Sequence, residues 1–349
     1  PGTVGEVFLV FLRLGLTSFG GPGAHLGYFR EAFVERRKWL GDRAYADLVA
    51  LCQFLPGPAS SQVGIGVGLS RAGLLGALAA WLGFTMPSAL ALIAFGYGVV
   101  AFQDVVNSGV LHGLKVVAVA VVAQAVWGMA RNMCPDPKRA TMAVLAATAV
   151  LAAPTPLVQI GVIVVGGLIG LAILQAETPS EHVSLGITVG RPVAVASLAL
   201  FFIGLFGLPN LATAFPSHTL AVVESFYSSG SLVFGGGHVV LPLLEAEVVQ
   251  SGWVTADEFL AGYGAAQAVP GPLFTFAAYL GALLPGIPSV IGALLALLAI
   301  FVPGFLLLVG VLPFWNQFRQ WSSAQALMRG ANAAVVGILG AGLYHPVWT

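Results

Sequence analysis

The groups best able to do chemistry in this chain sit in two related six-residue segments. Gln53-Phe54-Leu55-Pro56-Gly57-Pro58 returns 214 positions later as Gln267-Ala268-Val269-Pro270-Gly271-Pro272. In each, the first proline ends a helix, because the residue before a proline is pushed out of the helical region. Glycine supplies the bend. The second proline suits the first turn of the next helix, where its missing N–H costs nothing. The N–H groups that follow, at residues 59–61 and 273–275, are then unpaired and attract anions. Ser60, Ser61 and Thr275 add hydroxyl donors. A second pair of breaks, Phe19-Gly20-Gly21-Pro22-Gly23 and Phe234-Gly235-Gly236-Gly237, presents further amides. The predicted chemistry is noncovalent: a ring of donors around a small oxyanion.

Other polar groups could join that ring. Gln53 and Gln267 stand three residues before the first proline, and as polar groups at membrane depth they need partners. Either an amide bond between helices or a substrate contact would serve. Arg13 lies inside an apolar segment, where it either lines a site, snorkels, or pairs with an acid such as Glu6. Lys115 is either an interfacial anchor or the cationic wall of a site. His25 and His238 follow the glycine breaks and could relay protons near neutral pH; a satisfied histidine at a turn is the alternative. Glu31 and Glu245 align and are expected to be solvated or salt-bridged. No spacing suggests a metal, a cofactor, a phosphate loop or a catalytic triad.

The elements that must hold these groups are membrane helices. Of 349 residues, 58% are hydrophobic and 8% charged, against roughly 25% charged in a soluble domain. The net charge is +0, which gives a nucleic-acid partner no electrostatic support. Two cysteines, Cys52 and Cys134, form no disulfide framework. The pieces flanking each break are 11 to 16 residues long, below the ~20 a full span needs. We expect two re-entrant hairpins per copy, with Gly-Gly-Pro-Gly and Pro-Gly-Pro as tips; the alternative is a span followed by an interfacial helix. Glycines 64, 66, 68, 73 and 76 read as close helix packing.

The whole arrangement is duplicated. Phe19-Gly20-Gly21 pairs with Phe234-Gly235-Gly236, Trp39 with Trp253, Ser61 with Thr275, and Pro87 with Pro303. Residues 26–47 carry Arg30, Arg36, Arg37, Lys38 and Arg43, whereas residues 240–261 carry only acids. Basic loops stay cytoplasmic, so equivalent loops should face opposite sides. Five crossings between the copies give the same result. The predicted fold is therefore an all-α polytopic membrane protein built from two inverted-topology repeats with broken or re-entrant helices. Residues 1–131 form the first repeat, 132–217 connecting helices with a polar linker at 177–191, and 218–349 the second repeat. Paired broken helices of this kind point to a transport site.

Phe19-Gly20-Gly21-Pro22-Gly23-Ala24-His25, the basic stretch to Trp39-Leu40, both Pro-Gly-Pro segments and Phe234-Gly235-Gly236-Gly237-His238 together resemble the chromate ion transporter family of prokaryotes, in its long two-domain form. That resemblance implies a multi-pass protein of the cytoplasmic membrane that exports chromate and confers resistance to it. Chromate is a tetrahedral dianion shaped like sulfate, so a sulfate or other anion carrier is the second reading. A membrane-embedded enzyme or scaffold is the third. The expected partners are the oxyanion and the lipid bilayer, with a homodimer left open and alternating access as the mechanism. The second copy lacks the basic run, so the two halves need not contribute equally.

Overall fold

The computed structural model describes residues 2–101, 123, 126–131, 133–153, 156–174, 187, 189–233, 240–315 and 321–344. Among these, every regular element is helical. In chain order they are α1 (Val4–Thr17), α2 (Gly21–Arg30), α3 (Asp42–Phe54), α4 (Ala59–Ala101), α5 (Pro137–Ala152), α6 (Pro156–Ile173) and α7 (Arg191–Ala214). Then follow α8 (His218–Ser231), α9 (Val240–Val248), α10 (Ala256–Ala268), α11 (Phe276–Leu283), α12 (Ser289–Val311) and α13 (Ser322–Tyr344). A π-helical turn, Glu31–Arg36, extends α2, and a 3₁₀ turn, Leu273–Thr275, opens α11.

The duplication is visible in the element boundaries. At the same 214-residue offset, α8 repeats α1 and α10 repeats α3, from first residue to last. The helix after each Pro-Gly-Pro folds back on itself in the same way. Inside α4, Ala72 and Gly73 leave the helical region, with φ of −144° and 66°. Arms 59–71 and 74–101 then pack so closely that a Cβ on Gly68 would lie 2.3 Å from the Gly76 carbonyl oxygen. In the second copy α11 and α12 are the two arms, and a Cβ on Gly281 would lie 2.3 Å from the Gly292 oxygen. Small residues let helix backbones approach this closely. Of the glycines read as packing positions, 64, 66, 68 and 76 do pack, whereas Gly73 is the turn itself.

The two copies run in opposite directions. In the first, α1 lies parallel to the second arm of α4: Gly2 sits at Arg71, and Gly15 at Gly83 and Phe84. Both begin at a charged edge, where Arg71 Nη2 donates to Glu6 Oε2 at 3.1 Å and its guanidinium lies 4.9 Å from the Trp39 ring. The arm ends near the entry of α10. There Phe95 stacks on Tyr279, whose hydroxyl donates to the Glu258 oxygen at 2.9 Å. Helix α12 leads the other way, to Trp315, whose indole Nε1 donates to Asp47 Oδ1 on α3 at 3.3 Å. Each long helix thus finishes beside the other copy's entry. The cores exchange residues accordingly: Leu308, Leu312 and Trp315 pack with Phe11, Phe29 and Phe33, while Leu92 and Val99 pack with Tyr263 and Tyr279.

Among the described residues, three helices, α4, α7 and α12, are long and apolar enough to cross a membrane; in α4 the crossing piece is the second arm, since the first doubles back. Leu75, Leu82 and Leu90 on that arm, and Ile291, Leu294 and Leu298 on α12, are exposed at helical spacing, as lipid-facing stripes require. The 14 residues of α1 rise roughly 21 Å at ~1.5 Å each, past the middle of a core about 30 Å thick.

Candidate functional site

The sequence makes each break locally. Ser18 leaves the helix with ψ 95°, and Gly20 and Gly21 take left-handed φ values of 95° and 75°. Leu55 and Val269, each before a proline, are extended at ψ 147° and 148°. Gly57 and Gly271 follow with φ of 120° and 112°, a region that L side chains rarely enter.

Tertiary structure then crosses the breaks. Gly57 N–H donates to the Val233 oxygen at 2.7 Å, and Gly271 N–H donates to the Ser18 oxygen at 3.0 Å. Val233 and Ser18 occupy equivalent positions, just past α8 and α1. Each Pro-Gly-Pro tip is therefore fastened to the other copy's first helix break. Each tip also rests on the residue after the other copy's in-helix proline. A Cβ on Gly57 would lie 3.1 Å from Gly304 Cα, and one on Gly271 would lie 2.6 Å from Ser88 Oγ.

Around the crossing lies a buried polar cluster, set mainly by the first copy. His25 is fully buried, with Nδ1 3.4 Å from Ser60 Oγ and Nε2 3.2 Å from the Ser18 oxygen. Its ring meets Phe84 edge-on at 5.2 Å. Ser88 Oγ donates to the Thr85 oxygen at 3.1 Å. Gln62, 0% exposed, donates from Nε2 to the Pro56 oxygen at 3.0 Å and the Gly304 oxygen at 3.1 Å. Those two acceptors fix which end of the amide is nitrogen. Among the described residues, Ser18 Oγ, Ser61 Oγ, Gln62 Oε1 and Thr85 Oγ1 are buried without a hydrogen-bond partner. Buried polar atoms are ordinarily paired, so four orphans at the breaks mark a place suited to a polar guest.

The structure sorts the predicted residues. Gly57, Pro58, Ser60, Ser61, Gly271, Pro272 and Thr275 are buried at the crossing, with Pro56 and Pro270 half-buried at its rim. Gly20 and Gly21 form the turn that leads to His25, Gly20 being exposed. In the first copy, the earliest helical bond is Gln62 N–H to the Pro58 oxygen at 2.9 Å, so the amides of residues 59–61 precede it. In the second, the 3₁₀ turn spends the Thr275 N–H and hydroxyl on the Pro272 oxygen, at 3.1 and 2.7 Å. The expected third free amide is lost there. Gln53 is exposed, and Gln267 donates to the Tyr263 hydroxyl at 2.8 Å, a bond within one helix rather than between two. Arg13 lies on the exposed face of α1, opposite Phe11 and Gly15, and Glu6 pairs with Arg71 instead. Glu31 is salt-bridged to Arg36 at 2.6 Å, as expected. Lys115, Gly235, Gly236 and His238 lie outside the described residues.

Sequence reasoning missed Gln62, Ser18, Thr85 and Ser88. The available signal was position: Ser18 precedes the first glycine break, Gln62 lies four residues after Pro58, and Thr85 and Ser88 flank Pro87. In the second copy Gln62 and Ser60 are replaced by Phe276 and Phe274, so the cluster is one-sided. Among the described residues its buried members are hydroxyls, an amide and an imidazole, with no Lys or Arg.

Antiparallel repeats whose broken helices cross at membrane depth define a polytopic membrane protein of the architecture used by transporters. Comparison with known proteins gives the particular family. The chain belongs to the chromate transporter family, whose profile matches residues 5–171 and 220–349. It is 26% identical to the chromate transport protein of Pseudomonas aeruginosa over 98% of this chain and 80% of that one. It is 28% identical to a probable chromate transport protein of Synechococcus elongatus, over 94% of this chain and 81% of that one. The chromate transport protein of Cupriavidus metallidurans is 26% identical over 97% of this chain and 81% of its own. No solved structure matches.

Proposed function

We propose that the protein carries chromate out of the cell across the cytoplasmic membrane, by alternating access about the crossed Pro-Gly-Pro tips. The observation that carries this reading is the reciprocal pair of bonds, Gly57 to Val233 and Gly271 to Ser18, within a cluster of unpartnered hydroxyls. Tetrahedral oxyanions need several converging donors. The amides of residues 59–61, the hydroxyls of Ser18, Ser60, Ser61 and Thr85, and the start of α4 supply them on one side. The Thr275 tip closes the other. The related proteins named for chromate transport support the choice of anion.

In this mechanism the two tip bonds act as alternate latches. Loosening one opens the cluster toward one face while the other stays closed. Residues 1–131 and 218–349 are the two moving repeats, and 132–217 connects them. In this reading His25, engaged at both ring nitrogens by Ser60 and the Ser18 oxygen, holds the first break in position beside the cluster. Everted vesicles test the proposal: chromate should accumulate in them, and G57L or G271L should abolish uptake while the protein still inserts. No chromate uptake with folded protein sinks the reading. Uptake of sulfate in preference to chromate reassigns the substrate, and full activity in both variants makes the tips mere kinks.

A further inference from the structure

Away from the tips, α5, α6 and α13 enclose a groove of about 740 Å³ lined by Leu145, Val158, Val165, Ile169 and Ala334. It runs along α6 from Ile173 to Val158, roughly 22 Å at ~1.5 Å rise per residue, longer than one ~15 Å hydrocarbon leaflet. Leu145 and Val165 are exposed within it, so its walls are open to the bilayer. Its floor is made by close small-residue contacts, with Gly166 against Ala334 and Gly330.

At its Ile173 end the groove opens into a second cavity of about 490 Å³ lined by Lys138, Arg139, Arg329, Asp136 and Leu174. Lys138 and Ile173 line both. Asp136 is committed to Arg139, accepting from its backbone N–H at 2.9 Å and its Nε at 2.5 Å. Lys138 Nζ lies 3.4 Å from the Ile173 oxygen at the end of α6. Among the described residues the lining carries three basic side chains and one carboxylate, and that carboxylate is held by Arg139. An apolar channel longer than one leaflet with basic side chains at its mouth suits a lipid with an anionic headgroup.

We propose that this groove is a binding site for an anionic phospholipid, its acyl chain along α5 and α6 and its phosphate at Lys138, Arg139 and Arg329. The site is separate from the crossed tips and does not depend on the transport reading. Basic clusters at membrane level select anionic headgroups in this way. The test is native mass spectrometry of the full chain taken from nanodiscs containing phosphatidylglycerol and phosphatidylcholine. Phosphatidylglycerol should be retained preferentially, and Lys138→Gln and Arg329→Gln should each lower its retention about fivefold. Gly161→Trp fills the groove without touching a charge, since nothing lies within 4 Å of a Cβ there; it should expel both lipids. Equal retention of the two lipids, or unchanged retention in Lys138→Gln, overturns the proposal. So does full disulfide cross-linking of two copies through Leu145→Cys, which would make a second chain the occupant.

Discussion

At the scale of single residues, the tips depend on glycine for two separate reasons, backbone angle and space. At Gly271 they can be separated. Alanine there must adopt φ 112° and place its Cβ 2.6 Å from Ser88 Oγ. Gly271→Ala should therefore destabilise by about 1–3 kcal/mol, from the strained conformation and overpacking together. Adding Ser88→Gly copies the arrangement opposite Gly57, where the facing residue is already Gly304. The double variant should recover the steric part and keep the angular part, read as thermal stability in a double-mutant cycle. Equal stability of single and double variants would remove Ser88 from the account. Gln62 makes a different demand. Its amide serves the Pro56 and Gly304 oxygens at once, so Gln62→Leu removes two hydrogen bonds that join the copies and the tip, at about 0.5–1.5 kcal/mol each. We expect a lowered melting temperature and impaired chromate uptake; full retention of both would show that Gln62 only fills space.

At the scale of elements, the doubled-back arms are equivalent in the two copies. Gly68 meets Gly76, and Gly281 meets Gly292, each with a Cβ-to-oxygen approach of 2.3 Å. Larger side chains force the arms apart. Gly68→Val and Gly281→Val should each cost about 1–3 kcal/mol or more, with similar shifts in thermal unfolding. A large cost in one copy and none in the other would mean that the arms are not mechanically equivalent. The first helices are held alike: a Cβ on Gly15 would lie 2.7 Å from the Phe84 oxygen, and one on Gly230 would lie 2.2 Å from the Ile300 oxygen. Conserving backbone contact while changing side chains keeps the two copies superposable, yet lets the first carry Ser60 and Gln62 where the second carries Phe274 and Phe276.

At the scale of the whole molecule, inversion is the organising fact. Because the copies are antiparallel, Arg37 and Gln250, at equivalent ends of the two repeats, should face opposite sides of the membrane. Reporter fusions at those positions should give opposite activities; identical activities would contradict the packing of Trp315 on α3 and Phe95 on Tyr279. The first copy's edge is positive, with Arg30 joined to Asp42 at 2.8 Å and Arg37 5.5 Å from the Trp39 ring, so the Arg37 reporter should read as cytoplasmic.

Much of this was legible in the chain itself. Proline, glycine and the residues before proline dictate local φ and ψ, so the breaks at Gly20, Gly57 and Gly271 could be read directly. The duplication followed from recurring motifs, and the inversion from charge. What only tertiary structure decided was pairing over long sequence distances. The Gly57–Val233 and Gly271–Ser18 bonds join different copies, and Gln62 reaches Gly304 across 242 residues. Arg13 faced outward although its neighbours were apolar, because which side of a helix meets the core depends on the partner helix. The polar cluster at the crossing likewise gathers hydroxyls that are unremarkable one by one. Local rules place the broken helix ends at membrane depth, but only the crossing of two antiparallel copies turns them toward each other.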